Sequence, residues 1–182
     1  MRQSAYIVMS EIAMRKEGST LACNGQNILT NGNFTSGFHR WRGKKAHLVA
    51  NPMAEGDVSV AMGPGGLIYQ VVKGPFNWRC AYHLRFRVMN HSPQAGARAV
   101  ANVAYMGQNG RLLGQTPLTV DPPNRKPRRF FTFFTIVPPP SPVTKNMVVA
   151  ISVKSGFVMV DYISVTAHGI KKTMEAEENG VD

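Results

Sequence analysis

Carboxylates are scarce in this chain. Of its 182 residues only 10 are Asp or Glu, against 21 Lys or Arg. Within residues 28–170 the imbalance is sharper: 16 basic side chains stand against four acids, Glu55, Asp57, Asp121 and Asp161, a net charge of +12. A glycosidase needs two carboxyl groups facing each other across a cleft. Glu55 and Asp57 only flank Gly56 in what reads as a turn. Gly-x-Ser-x-Gly, His-Glu-x-x-His and phosphate-loop patterns are also missing. The chain is therefore read as a non-enzyme.

Cysteine is scarce too. Cys23 and Cys80 are the two in the chain, far apart in sequence; they are read as two unrelated thiols, with a disulfide as the alternative. No Cys-x-x-Cys pair and no His/Cys cluster suggests zinc. His39, His47, His83, His91 and His168 are scattered without metal spacing. No apolar run is long enough to span a membrane as a helix. The short apolar patch near the N-terminus is interrupted by Glu11 and by Arg15-Lys16-Glu17, so it does not build a secretory core. Synthesis in the cytosol is the expectation. Internal repeats and heptads are absent.

What is present is a series of short alternating runs separated by Gly and Pro, of which there are 17 and 12. Turn chemistry at that density suits an all-β domain. The spacing predicts strands over 28–34, 46–50, 58–62 and 67–72, with Gly63-Pro-Gly-Gly66 as a turn between the last two. Residues 81–90 alternate most clearly. Tyr82, Leu84, Phe86 and Val88 take one face, and His83, Arg85, Arg87 and Met89 the other, as a half-buried strand requires. Residues 98–106 follow, with Ala99, Ala101, Val103 and Tyr105 inward. A turn at Gln108-Asn-Gly110, a short strand 111–113 and a phenylalanine-rich strand 129–137 come next. A closing hairpin is expected from 147–153 and 157–166 around Lys154-Ser-Gly156. The fold class is all-β, a jelly-roll β-sandwich of two antiparallel sheets. Residues 1–26 read as a flexible arm, 27–167 as the domain and 168–182 as a disordered acidic tail.

The order of several short motifs resembles the carbohydrate-binding-module-like jelly rolls of the galactose-binding superfamily. The opening is Asn31-Gly32-Asn33-Phe34-Thr35, then Gly37 and Trp41. Tyr69-Gln70-Val71-Val72 matches a middle strand. Val103-Ala-Tyr105 runs into Gly110-Arg-Leu-Leu-Gly114. Val160-Asp161-Tyr162-Ile163 matches the end. The closest flavour is the N-terminal domain of collagen-repeat surface proteins of spore-forming bacteria. The resemblance implies a non-catalytic glycan binder at a spore or cell surface. It also implies that Asp161 helps hold a structural calcium, although Thr35 stands where the family has Glu. No other cofactor is implied.

Asp161 alternates with Met159, Ile163 and Val165 and is expected to point inward. An unpartnered buried carboxylate is costly, so it either bonds the N-terminal loop or takes that calcium. Trp78, in the loop 74–79, could stack on a sugar or simply cover the end of the sandwich. His83, Arg85 and Arg87 share one outer face. If the strand bearing Arg98 and Asn102 lies beside theirs, the five form a basic sheet face suited to carboxylates, sulfates or phosphates. Arg125, Lys126, Arg128 and Arg129 could hold phosphates by counterion release, but no nucleic-acid-binding motif surrounds them.

Two functions follow, with glycans or other anionic polymers as partners and no membrane. The first is a carbohydrate-binding-like module for acidic glycans. The alternative is a self-assembling homo-oligomeric β-sandwich whose basic face takes anionic polymers. Specific nucleic-acid binding ranks last.

Overall fold

The computed structural model describes residues 22–93, 96–125 and 127–170. The expected arm before residue 22, the tail after Ile170 and Lys126 lie outside the described residues. The described strands are β1 (Asn24–Asn27), β2 (Arg42–Ala50), β3 (Val58–Lys73), β4 (Cys80–Asn90), β5 (Arg98–Met106), β6 (Leu112–Val120), β7 (Phe131–Val137), β8 (Asn146–Ser155) and β9 (Val158–Gly169). Every pairing among them is antiparallel.

The strands form two packed sheets that share β3. Its first half, Val60–Met62, pairs with β9, which lies beside β4 and then β7. Its second half, Leu67–Lys73, pairs with β8, which lies beside β5 and then β6. The fold is thus a nearly closed antiparallel jelly roll. Between the sheets, β4 contributes Tyr82, Leu84, Phe86 and Val88, all fully buried. β5 contributes Ala99, Ala101 and Val103, and β8 contributes Met147, Val149 and Ile151. Each large aliphatic or aromatic chain so buried stabilises the fold by roughly 1.5–3 kcal/mol. The alternation on β4 and β5 expected from sequence is therefore the core pattern.

Four local expectations change. Residues 28–34 are not a strand. Asn31 and Phe34 adopt φ of 55° and 59°, a left-handed backbone that no ladder runs through. The segment instead folds back on the domain: Gln70, buried on β3, accepts from Thr30 N at 2.9 Å and donates to Thr30 O at 2.8 Å. Gly63-Pro-Gly-Gly66 is not a turn but the corner where β3 passes from one sheet to the other. A Cβ at Gly66 would sit 2.8 Å from Gly63 O and 2.9 Å from Lys45 O. On β2 a single residue, Lys45 with φ of 49°, stands opposite the four of the corner. Lys154-Ser-Gly156 does not close a hairpin, because β8 pairs β3 and β5 whereas β9 pairs β1, β3 and β4. It crosses between sheets. The strand begun at 112 continues to Val120.

The cysteines are not separate thiols. Cys23 and Cys80 form a disulfide, with Cα atoms 5.6 Å apart. The topology brings them together. Both β1 and β4 pair with the end of β9, Asn24 opposite His168 and Cys80 opposite Gly169. The bond closes a loop with a sequence separation of 57, for which chain entropy gives about 4 kcal/mol. Reduction with dithiothreitol is expected to lower the unfolding free energy in urea by up to that amount, without changing the far-ultraviolet circular dichroism of the folded state.

Candidate binding site on the outer face of β4, β7 and β9

The outward residues of β4, β7 and β9 make one continuous surface, and pairing sets its rows. Arg85 lies opposite Phe134 on β7 and Ser164 on β9, while His83 lies opposite Ile136 and Thr166. Paired residues share a face. Phe134 and Ile136 are exposed at 51% and 55%, large apolar chains that no described segment covers. The His83 ring meets Phe134 edge-on at 5.2 Å and stacks on His168 at 4.1 Å.

Two adjoining clefts open on this surface, sharing Arg85, Thr132 and Ser164. The larger holds about 560 Å³ and is walled by Asn31, Gly32 and Asn33. The second runs over Phe134 and Thr166 to the two histidines. The wall is rigid. Asn31 Nδ2 donates to the carbonyls of Gly37 and His39, its Oδ1 accepts from Ser36 N, and Trp41 Nε1 donates to Asn31 O at 2.9 Å. Arg85 is exposed and enters no ion pair among the described residues. The face therefore combines an aromatic platform, hydroxyl and amide groups and a guanidinium fork.

Arg87, also on this face, is committed elsewhere. Its Nε and Nη2 reach Asp161 Oδ1 and Oδ2 at 2.8 and 3.0 Å, and its guanidinium lies 3.9 Å over the Tyr162 ring. Asp161 is fully buried but does not point between the sheets. It pairs with Arg87, so it faces outward, while Ile163 and Val165 face the core. The cause is a bulge: β4 advances two residues from Arg85 to Arg87 while β9 advances three from Asp161 to Ser164. The extra residue, Tyr162, has φ of 49°, and one inserted residue reverses which side the strand presents. Nor is the carboxylate bonded to the N-terminal loop. Asn51 Nδ2 and Ser59 Oγ donate to it at 3.0 and 3.3 Å, and Tyr162 Oη donates to Asp57 at 2.9 Å to complete its cover.

Burial pushes the Asp161 carboxyl above its ordinary range, while the Arg87 and Ser59 hydrogen bonds pull it down. The same bond to Asp161 raises the pKa of Arg87. Four donors, two of them on the adjacent Arg87 guanidinium, leave no room for a cation, and no cluster of three His, Cys, Asp or Glu occurs among the described residues. These residues do not fit the structural calcium that the sequence resemblance implied.

The remaining candidates lie away from the clefts. Arg98 and Asn102 are on β5, which pairs β6 and β8, so they belong to the opposite sheet rather than beside β4. Arg98 forms an exposed ion pair with Asp121 at 2.8 Å, and Asn102 donates to Gln115. Trp78 is half exposed on the loop before β4, with the Arg79 guanidinium 4.8 Å over its ring, and lines neither cleft. Sequence reasoning missed Thr132, Phe134, Ser164 and the wall at Asn31–Asn33. The signal for the first two was in the parity of residues 131–137, which sets Thr132, Phe134 and Ile136 on one side.

No protein-family model matches the sequence, and no curated protein matches it. Solved structures do. The CBM22-1 xylan-binding domain of Paenibacillus barcinonensis Xyn10C superposes with a TM-score of 0.61 at 11% identity, covering 81% of this chain and 97% of that one. The fold is that of the carbohydrate-binding-module jelly rolls. A family 61 carbohydrate-binding module, solved with β-1,4-galactotriose, gives 0.55 at 15% identity, covering 77% and 97%. The enzymatically active domain of bacteriophage CBA120 tailspike protein 4 gives 0.54 at 15% identity. There the match covers 78% of this chain and spans only 21% of the tailspike chain.

Two measurements check the electrostatics of this face. Arg87→Met leaves a buried carboxylate unpaired and is expected to destabilise the domain by about 3 kcal/mol. Adding Asp161→Asn to it should recover part of that loss in a denaturant double-mutant cycle. Partial burial, and then the charge of His168, lower the pKa of His83. The unfolded chain therefore takes up this proton first as pH falls. Stability should decline as pH drops below about 6.5 and level off below the folded value. His83→Gln should flatten that part of the melting-temperature profile.

Proposed function

We propose that this protein is a glycan-binding module, with the ligand lying along the paired clefts of the β4–β7–β9 face. The observation that carries the reading is the exposed Phe134 platform set directly beside the fork of Arg85, which has no ion-pair partner among the described residues. A pyranose ring presents an apolar C–H face to an aromatic side chain. Arg85 can then grip a carboxylate, sulfate or hydroxyl pair on the same sugar. Thr132, Ser164 and Asn33 supply the shorter polar contacts. The solved neighbours that carry xylan-binding and galactotriose-bound modules on this fold support the reading. The scarcity of carboxylates supports a binding role over a hydrolytic one.

We place the protein on an outer surface, such as that of a spore or cell. The disulfide supports this, because such bonds persist in oxidising surroundings.

A glycan array at low and physiological salt tests the function, followed by affinity measurement on each hit. Phe134→Ala and Arg85→Ala should each weaken binding about tenfold, which is the loss of one aromatic or one charge-assisted contact, and leave the melting temperature unchanged. Trp78→Ala should leave affinity unaltered. Binding that ignores both cleft substitutions would remove the site, and no selective hit at either salt would remove the function.

A further inference from the structure

A second concave site lies on the other sheet. It is lined by Arg40, Trp41, Arg42, Tyr69, Val71 and Lys73 and encloses about 550 Å³. Register builds it. Arg42 on β2 pairs with Tyr69 on β3 and Lys44 with Leu67, so Arg42 and Lys44 share the outer face with Tyr69. Val71 and Lys73 follow Tyr69 on that face at two-residue steps. Arg40 reaches the same rim from the preceding turn, with φ of 69°. Trp41 is buried and anchored through its indole N–H to Asn31 O, which fixes the floor.

The charge here is unbalanced. Arg40, Arg42, Lys44 and Lys73 are all exposed, and none forms an ion pair among the described residues, whose two salt bridges are Arg87–Asp161 and Arg98–Asp121. Glu55 and Asp57 sit beyond the far end of β2, where Ala50 pairs with Val58. Like charges held together on a concave, partly apolar surface repel one another and attract an anion. Two guanidinium forks favour a planar, bidentate anion such as a carboxylate. One tyrosine ring lies between them and Lys73, where a single sugar ring can stack. Single-stranded nucleic acid would instead call for successive aromatics beneath successive bases, and this pocket offers one half-buried ring, Tyr69.

We propose that this pocket is a second carbohydrate site, specific for carboxylate-bearing sugars such as the uronic acids of an acidic polysaccharide. It is separate from the β4–β7–β9 clefts in sheet, residues and charge, and does not depend on their function.

The probe is polygalacturonate, measured by isothermal titration or affinity electrophoresis at physiological salt, with methyl-esterified polygalacturonate and duplex DNA alongside. The full chain should bind polygalacturonate and lose affinity for the ester. Arg42→Gln with Lys73→Gln should weaken polygalacturonate binding at least about tenfold. Tyr69→Ala should weaken it as well, while Tyr69→Phe retains it. Polygalacturonate should still bind the Arg85→Ala, Phe134→Ala double variant, and in that background Arg42→Gln with Lys73→Gln should remove the binding, which separates this site from the clefts. Melting temperatures of the surface variants confirm that each is folded. The proposal is overturned if the ester binds equally or if duplex DNA binds as tightly with the same loss in Arg42→Gln, Lys73→Gln. It is also overturned if the cleft variant abolishes binding while the Arg42 and Lys73 variant does not.

Discussion

The domain is held in register by one contact in which a side chain would not fit. At Gly32 an added Cβ would fall 1.8 Å from Ile163 O, and the Gly32 carbonyl accepts from Ile163 N at 2.9 Å. This is where the two ends of the domain meet. Ile163 follows the bulge at Tyr162, so the strand's phase is reset where Gly32 presses against it. The reset sends Ile163 and Val165 into the core and leaves Asp161 outside with Arg87. The same contact sets Asn31 and Asn33 as the wall of the larger cleft. Core packing, the buried ion pair and the cleft wall thus share one geometric requirement, which glycine alone meets.

Period-two patterning was readable where a strand keeps one face in the core from end to end. β4 and β5 are of that kind, and their inward residues followed from alternation alone. β3 is not. It serves both sheets, and the Gly63–Gly66 corner looks locally like a turn because glycine and proline report a bend without saying what the chain does afterwards. The side chosen for Asp161 failed for a related reason, since parity carries no information across an inserted residue. The condition that the strand of Arg98 and Asn102 lies beside β4 fails, and sequence could not decide it because strand order is a long-range property. The disulfide was hidden likewise: two cysteines far apart meet only because β1 and β4 flank the same end of β9. Of the binding face, His83, Arg85 and Arg87 were legible as one row. Its other rows come from β7, β9 and the Asn31–Asn33 loop, which only the assembled sheet brings alongside.

The surplus of basic side chains is divided among distinct tasks. Arg87 neutralises a buried carboxylate and lies over Tyr162, so it is spent on the fold. Arg98 is paired at the surface with Asp121, an exposed contact of small energetic weight. Arg85 lies beside Phe134 with no ion-pair partner among the described residues. Arg40, Arg42 and Lys73 line one pocket without a described counterion. Net charge alone separates none of these roles; the partner of each cation does.

The placement of β1 beside β9 has a mechanical consequence. Asn24 and His168 are neighbours across an antiparallel pair, so the polypeptide enters and leaves at the same end. Tension applied through the two ends would open this pair like a zipper, one rung at a time, which is the weak direction of a sheet. The bond from Cys23 to Cys80 lies at the first rung. It would pass the load to β4, a central strand held on both edges by β7 and β9. With the bond intact, β1 cannot peel from β9 without also loading β4; with it reduced, β1 can come away alone.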